Sequence, residues 1–126
     1  MIQIDIKSRE PLIAQLIKAL EYAVASGEVQ PGQELPSARQ LAADLDIHWN
    51  TVARAYRHLA EKGLLFVAPG RKTYVRVRSK AHTSSTLEQK KEIKRIFREG
   101  LTQARLLGLK RSVVESLFRE EVSDWK

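Results

Sequence analysis

The chain has 126 residues, 43% of them hydrophobic, a net charge of +7 and no cysteine. This composition calls for a folded core rather than disorder. It excludes disulfides, cysteine metal sites and thiolate catalysis, and no apolar run approaches the ~20 residues of a membrane span. The charge is unevenly placed: residues 1–47 carry 4 basic and 7 acidic side chains (−3), residues 48–80 carry 8 and 1 (+7), and residues 81–126 carry 10 and 7 (+3). Such a basic middle third suits a polyanionic partner that relieves its self-repulsion, the plainer alternative being a solubilising surface.

The first residues lack the basic start and apolar stretch of a signal peptide, which with the missing cysteines predicts a cytoplasmic protein with no membrane partner. Residues 2–6, "IQIDI", alternate apolar and polar and predict a short strand or an extended lead-in. "SREPLIAQLIKALEYAVASG" predicts a helix, with Pro11 in its first turn. Leu12, Ile13, Leu16, Ile17, Leu20 and Val24 form one stripe, and Gly27 is the stop. Pro31-Gly32 marks a turn. Ser37 followed three residues later by Gln40 is a capping-box pattern. It announces a short second helix with Leu41, Ala42 and Leu45 inward, broken at "LDI". A third helix runs from about His48 to Lys62, ends at Gly63 and turns Val52, Ala55, Tyr56 and Leu59 inward.

After Gly63 the period changes from helical to strand-like. "LLFVA", "PGRK" and "TYVRVR" read as a hairpin, with Thr73, Val75 and Val77 on one face and Tyr74, Arg76 and Arg78 on the other. "SKAHTSST" is polar and patternless and reads as a linker. A helix from about Ser85 to Leu107 then lines up Ile93, Ile96, Phe97, Leu101, Ala104 and Leu107 and ends at Gly108. A last helix, about Lys110 to Val122, presents Val113, Val114, Leu117 and Phe118. The fold class expected is mainly α with a small β-hairpin: a winged helix-turn-helix over residues 1–78, then a linker and a short α-helical dimerisation hairpin over residues 79–126.

In such a fold the leading end of the third helix faces a DNA groove, and "DIHWNTVARAY" puts there groups a core does not need. Asn50 can pair bidentately with adenine, Thr51 can meet a phosphate or a thymine methyl, and Arg54, one turn on, can reach a guanine or a phosphate. Ser37 and Arg39 open the second helix, whose free N–H groups suit a phosphate. Gly70, Arg71 and Lys72 bring backbone and charge from the wing tip. Each has a plainer reading. Ser37 is a helix cap in any case, Arg39 can pair with Asp44 or Glu34, and Gly70 can be only a turn. Trp49 is open between a DNA contact and a wedge against the second helix. Arg57 and His58 read as solvated surface, and Tyr56 as core. No metal-site spacing links His48, His58 and His82, and no phosphate loop or activated nucleophile is visible. The expectation is therefore no enzyme, no metal and no cofactor.

The stretch from "EPLIAQLIKAL" through "SGEVQPGQELPSARQLAADLDIHWNTVARAYRHLAEKGLLFVAPGRKTYV" resembles the GntR family of bacterial transcription regulators. It carries "PG-x-x-LPS-x-R-x-LA", then "NTV-x-x-A", "L-x-x-x-GL" and a wing glycine. The short tail, "FREGLTQARLLGLKRSVVESLFRE", is similar to that of the YtrA subfamily. The resemblance implies a homodimer that represses an operon, often one encoding a transporter, by binding double-stranded DNA at an inverted repeat. It implies DNA contacts at Ser37, Arg39, Asn50, Thr51 and Gly70. At three places the chain departs from the family pattern: His48 where Ser often caps, Trp49 where Arg often follows, and Gly70-Arg71-Lys72 where the wing usually reads G-x-G. The resemblance therefore leaves the operator sequence of this chain open.

A two-helix hairpin this small cannot bury its own stripe. Paired with a second copy it would cover Ile93, Ile96, Phe97, Leu101, Ala104, Leu117 and Phe118; the alternative is that it folds back on the winged domain. The rival function is a dimeric protein-interaction module docking an acidic partner, and no effector class is legible.

Overall fold

The computed structural model describes residues 2–68, 70, 72–77 and 86–125. The chain divides into two compact units, Met1–Arg78 and Ser79–Lys126. The first contains α1 (Leu12–Ser26), β1 (Glu34–Leu35), α2 (Ala38–Leu45), α3 (Trp49–Glu61), β2 (Leu65–Val67) and β3 (Thr73–Val75); the second contains α4 (Leu87–Leu106) and α5 (Arg111–Ser123). The architecture is mainly helical with one small antiparallel sheet.

Pro11 stands one residue before its expected first-turn place, as the N-cap of α1. Its carbonyl accepts from the Gln15 N–H. The Gln15 side-chain amide donates to the Asp5 and Glu10 carbonyls while its oxygen accepts from the Asp5 N–H at 2.7 Å. This clasp makes residues 2–5 an irregular lead-in, not a strand, and Ile2 packs on the core.

The α1 stripe buries Leu16, Leu20 and Ala23, with Ile13, Ile17 and Val24 partly covered at its edges. Both α1 and α2 pack against α3, so α3 is the central element. Its Val52, Ala55 and Leu59 are fully buried, as are Leu16 and Leu65 around them. Each buried Leu or Val of this kind is worth about 1.5–3 kcal/mol relative to exposure.

The turn between α2 and α3 depends on Asp46, which takes the left-handed conformation at φ 55°. Its N–H and that of Ile47 return to the Ala43 and Ala42 carbonyls, closing α2. Asp tolerates this conformation better than most side chains because its short polar group can bond locally. The turn is thereby short, and α3 begins only four residues after α2 ends.

The sheet has the order β1-β3-β2. The expected hairpin is present, with Leu65 opposite Val75, Phe66 opposite Tyr74 and Val67 opposite Thr73. Its strands are shorter than the sequence pattern: Thr73 and Val75 are buried, but Val77 lies beyond the strand and is exposed. The third strand, β1, is an addition. Glu34 pairs with Tyr74 and Leu35 with Thr73, and Gly32 and Gln33 extend the ladder through bonds to Val75 of 2.8 and 2.9 Å. Two residues before a proline carry no readable alternation, so β1 is set by the partner strand rather than by its own pattern.

In the second unit Thr86 and Gln89 form a reciprocal capping box. Thr86 therefore starts α4 rather than ending the linker; the remainder of the expected linker, residues 79–85, lies outside the described residues. Gly108, at φ 77°, turns the chain, with its N–H bonded to the Arg105 carbonyl and that of Leu109 to Ala104. The rings of Phe97 and Phe118 then meet edge to face at 5.4 Å. No residue of α4 or α5 is buried.

Candidate nucleic-acid interface

The start of α2 is fixed twice. Ser37 Oγ accepts from the Gln40 N–H at 3.1 Å, and Gln40 Oε1 accepts from the Ser37 N–H at 3.1 Å. The capping hydroxyl acts only as acceptor in this pair, and its own proton has no acceptor among the described residues. The second tether comes from the core. Tyr56 is 4% exposed, and its hydroxyl donates to the Pro36 carbonyl at 2.8 Å. Burial pushes the Tyr56 phenol up to about 12. The sequence placed Tyr56 in the core but did not reveal this bond, which joins α3 to the residue preceding the Ser37 cap across 20 positions.

His48 caps α3: its Nδ1 accepts from the Asn50 N–H at 3.1 Å. This requires an unprotonated Nδ1, with the proton of the neutral ring on Nε2. An imidazole thus performs here the work usually given to a hydroxyl or carboxylate.

Along α3 the core face is Val52, Ala55, Tyr56 and Leu59. Helical geometry leaves Asn50, Thr51 and Arg54 on another face, because residues three and four apart are neighbours. Asn50 and Arg54 are exposed and Thr51 is half-buried. Among the described residues the Asn50 side-chain amide makes no hydrogen bond, and Arg54 and Arg57 make no ion pair. Lys62, by contrast, is held by Glu21 at 2.8 Å, so the basic face nearest the helix start is the uncommitted one. Arg57 and His58 are exposed, as expected.

Trp49 is 41% exposed. It is neither a core residue nor an isolated one. The Arg39 guanidinium lies over its ring, 4.7 Å from the centroid, and the His48 ring lies 5.8 Å away, nearly parallel. Arg39 pairs with neither Asp44 nor Glu34 among the described residues. The structure thus joins Arg39, His48 and Trp49 into one cluster at the mouth of the helix-turn-helix, which sequence spacing alone did not show.

At the wing tip the Ala68 N–H donates to the Lys72 carbonyl at 2.7 Å. Gly70 is exposed with φ +87°, and a Cβ there would meet no atom within 4 Å. The constraint is therefore backbone conformation, not space. Lys72 is exposed; Arg71 lies outside the described residues. On the sheet, Arg76 lies 5.7 Å from the ring centre of half-exposed Phe66.

Among the described residues no cluster of His, Asp or Glu is arranged to hold a metal ion, and no helix is long and apolar enough to cross a membrane. What the site offers is exposed cations and an Asn50 side-chain amide at the start of α3, next to the Arg39–Trp49–His48 cluster.

Comparison with known proteins accords with this geometry. Residues 12–75 match the family described as "Bacterial regulatory proteins, gntR family". The HTH-type transcriptional repressor YtrA of Bacillus subtilis is 31% identical over 128 residues, covering 100% of this chain and 95% of its own length. Among solved structures, YtrA from Sulfolobus acidocaldarius, a GntR-family transcription factor, is 28% identical with a TM-score of 0.62, covering 80% of this chain and 97% of that one. A transcriptional antiterminator from Listeria monocytogenes EGD-e shares the fold, with a TM-score of 0.79 at 23% identity over 96% of this chain and 89% of that one. The helix-turn-helix, its wing and these full-length similarities together place the chain in the GntR family, as a YtrA-like DNA-binding transcriptional regulator.

Proposed function

We propose that the chain is a homodimeric, cytoplasmic repressor that binds an inverted-repeat operator in double-stranded DNA. The carrying observation is the leading turn of α3, where the exposed Asn50 amide has no partner among the described residues. An exposed side-chain amide that no described residue engages, on a helix whose opposite face is buried, is available for an adenine edge. Thr51 and Arg54 extend that reading surface, while Ser37, Arg39, Trp49, Gly70, Arg71 and Lys72 position it against the backbone.

Dimerisation through the second unit supplies the two-fold symmetry. Ile93, Ile96, Phe97, Leu101, Leu117 and Phe118 are each about half exposed, with Ala104 among them in sequence. A second copy would cover this stripe and set two recognition helices one DNA turn, roughly 34 Å, or a multiple of it apart. Repression, rather than activation, is supported by the role named for the full-length B. subtilis relative. The likeness of its short tail to the YtrA subfamily supports control of a transporter operon.

Selection of bound sites from a random duplex pool tests it. The expected outcome is an enriched inverted repeat with half-sites about 10 bp, or a multiple, from centre to centre. Enrichment of single, unrepeated sites would contradict the dimer, and no enrichment at all would contradict sequence reading. Asn50→Ala should weaken the selected duplex by about 1–3 kcal/mol while leaving random duplex nearly unchanged.

A further inference from the structure

Trp49 is the unusual residue of the interface: a large aromatic at the tip of the recognition helix, neither buried nor hydrogen-bonded among the described residues. We infer that Trp49 acts on DNA through Arg39, as a positioning residue that holds the guanidinium ready for its ligand. This rests on the DNA-binding reading above and deepens it.

A free arginine on the first turn of a helix samples many rotamers, and ordering it on binding carries an entropic cost. Here the guanidinium is already seated over the indole, 4.7 Å from the ring centroid. A cation over an aromatic face is attracted by the ring's quadrupole, and that contact consumes none of the guanidinium's N–H donors. Among the described residues those donors have no protein acceptor, and no carboxylate neutralises the charge. The indole is itself held. His48 packs beside it at 5.8 Å and 27°, and the His48 ring is fixed by accepting the Asn50 N–H. A chain of contacts thus runs from the backbone of α3 to a cation on α2. The start of α2 is independently tied to α3 through the Tyr56–Pro36 bond, so the two ends of the chain of contacts are in register before DNA arrives.

The test is a double-mutant cycle of Arg39→Ala and Trp49→Ala on the full chain, read as affinity for the selected duplex, with Trp49→Phe as the conservative variant. Thermal melting of each variant checks that the fold is intact. Trp49→Ala is expected to weaken binding about two- to fivefold in the wild-type background. In the Arg39→Ala background it should have no further effect. Trp49→Phe, which keeps an aromatic face and lacks the indole N–H, should return most of the loss. Additive losses in the double variant would overturn the inference, because Trp49 would then touch DNA on its own. A Phe variant as weak as the Ala variant would overturn it too, since the indole N–H would then be the working group. If the wild-type chain binds no duplex, the DNA-binding reading fails and takes this inference with it; wild-type binding with additive losses defeats the inference alone.

Discussion

The two units of this chain solve the problem of burial in opposite ways. The first closes on itself: Leu16, Val52, Ala55, Leu59 and Leu65 are all 0% exposed, while Asn50 and Arg54 on the other face of α3 stay exposed. In the second, two well-formed helices with a capping box and a Gly108 turn leave every residue at least partly exposed, even where Phe97 and Phe118 meet. Good local signals are enough to make helices, but a pair of helices has only one inner side. The first unit thus hides its apolar surface and displays polar groups, whereas the second leaves an apolar stripe that its own fold does not cover.

Core truncation should separate the units most sharply. Leu59→Ala removes a fully buried side chain where α1 and β2 meet α3. It should cost about 2–5 kcal/mol in denaturant unfolding of the first unit, with self-association of the folded protein unchanged. An effect below that range would mean the first core is looser than its burial implies.

A smaller but more diagnostic change is Phe97→Ala. Phe97 is 48% exposed in the single chain, so the loss should fall on assembly. Sedimentation equilibrium should show the dimer dissociation constant rising at least about tenfold, while the first unit melts as before. An unchanged dimer would show that the α4 stripe is not the contact.

Tyr56→Phe probes the seam between core and interface. Losing the bond to Pro36 should cost about 0.5–1.5 kcal/mol. The pH dependence carries a definite sign. Folding raises the phenol from its ordinary 10.0 to about 12, so the folded state holds the proton more tightly than the unfolded one. The contribution is fully present below pH 10 and is lost as pH rises toward about 12. Comparing the two proteins across that window, the wild type should lose stability more steeply than Tyr56→Phe; parallel curves would show that the phenol is not protected by the fold.

Much of this was legible in the sequence because the strongest signals are local. Ser37 and Gln40 announce the second helix, the stripe of Val52, Ala55, Tyr56 and Leu59 defines the inner face of the third, and glycines at 27, 63 and 108 mark turns the structure realises at positive φ. The same signal, Thr86 with Gln89, was available for α4 and fixes its start two residues later than periodicity suggested. What escaped was long-range. Strand β1 exists because β3 offers a ladder, the Tyr56–Pro36 bond joins residues 20 apart, and the Arg39–Trp49 contact depends on how tightly the Asp46 turn folds α2 onto α3. His48 was legible as an unusual cap, but its capping bond follows from ring orientation, which no spacing rule encodes.

The role proposed for the exposed leading end of α3 and its surrounding cations is to bind duplex DNA. The most direct measurement is the affinity of the full chain for a selected duplex as a function of salt. Log Kobs should fall linearly with log salt, with a slope of about −0.9 for each phosphate neutralised and several such contacts per protomer. A slope near zero, or no binding even in dilute buffer, would contradict it.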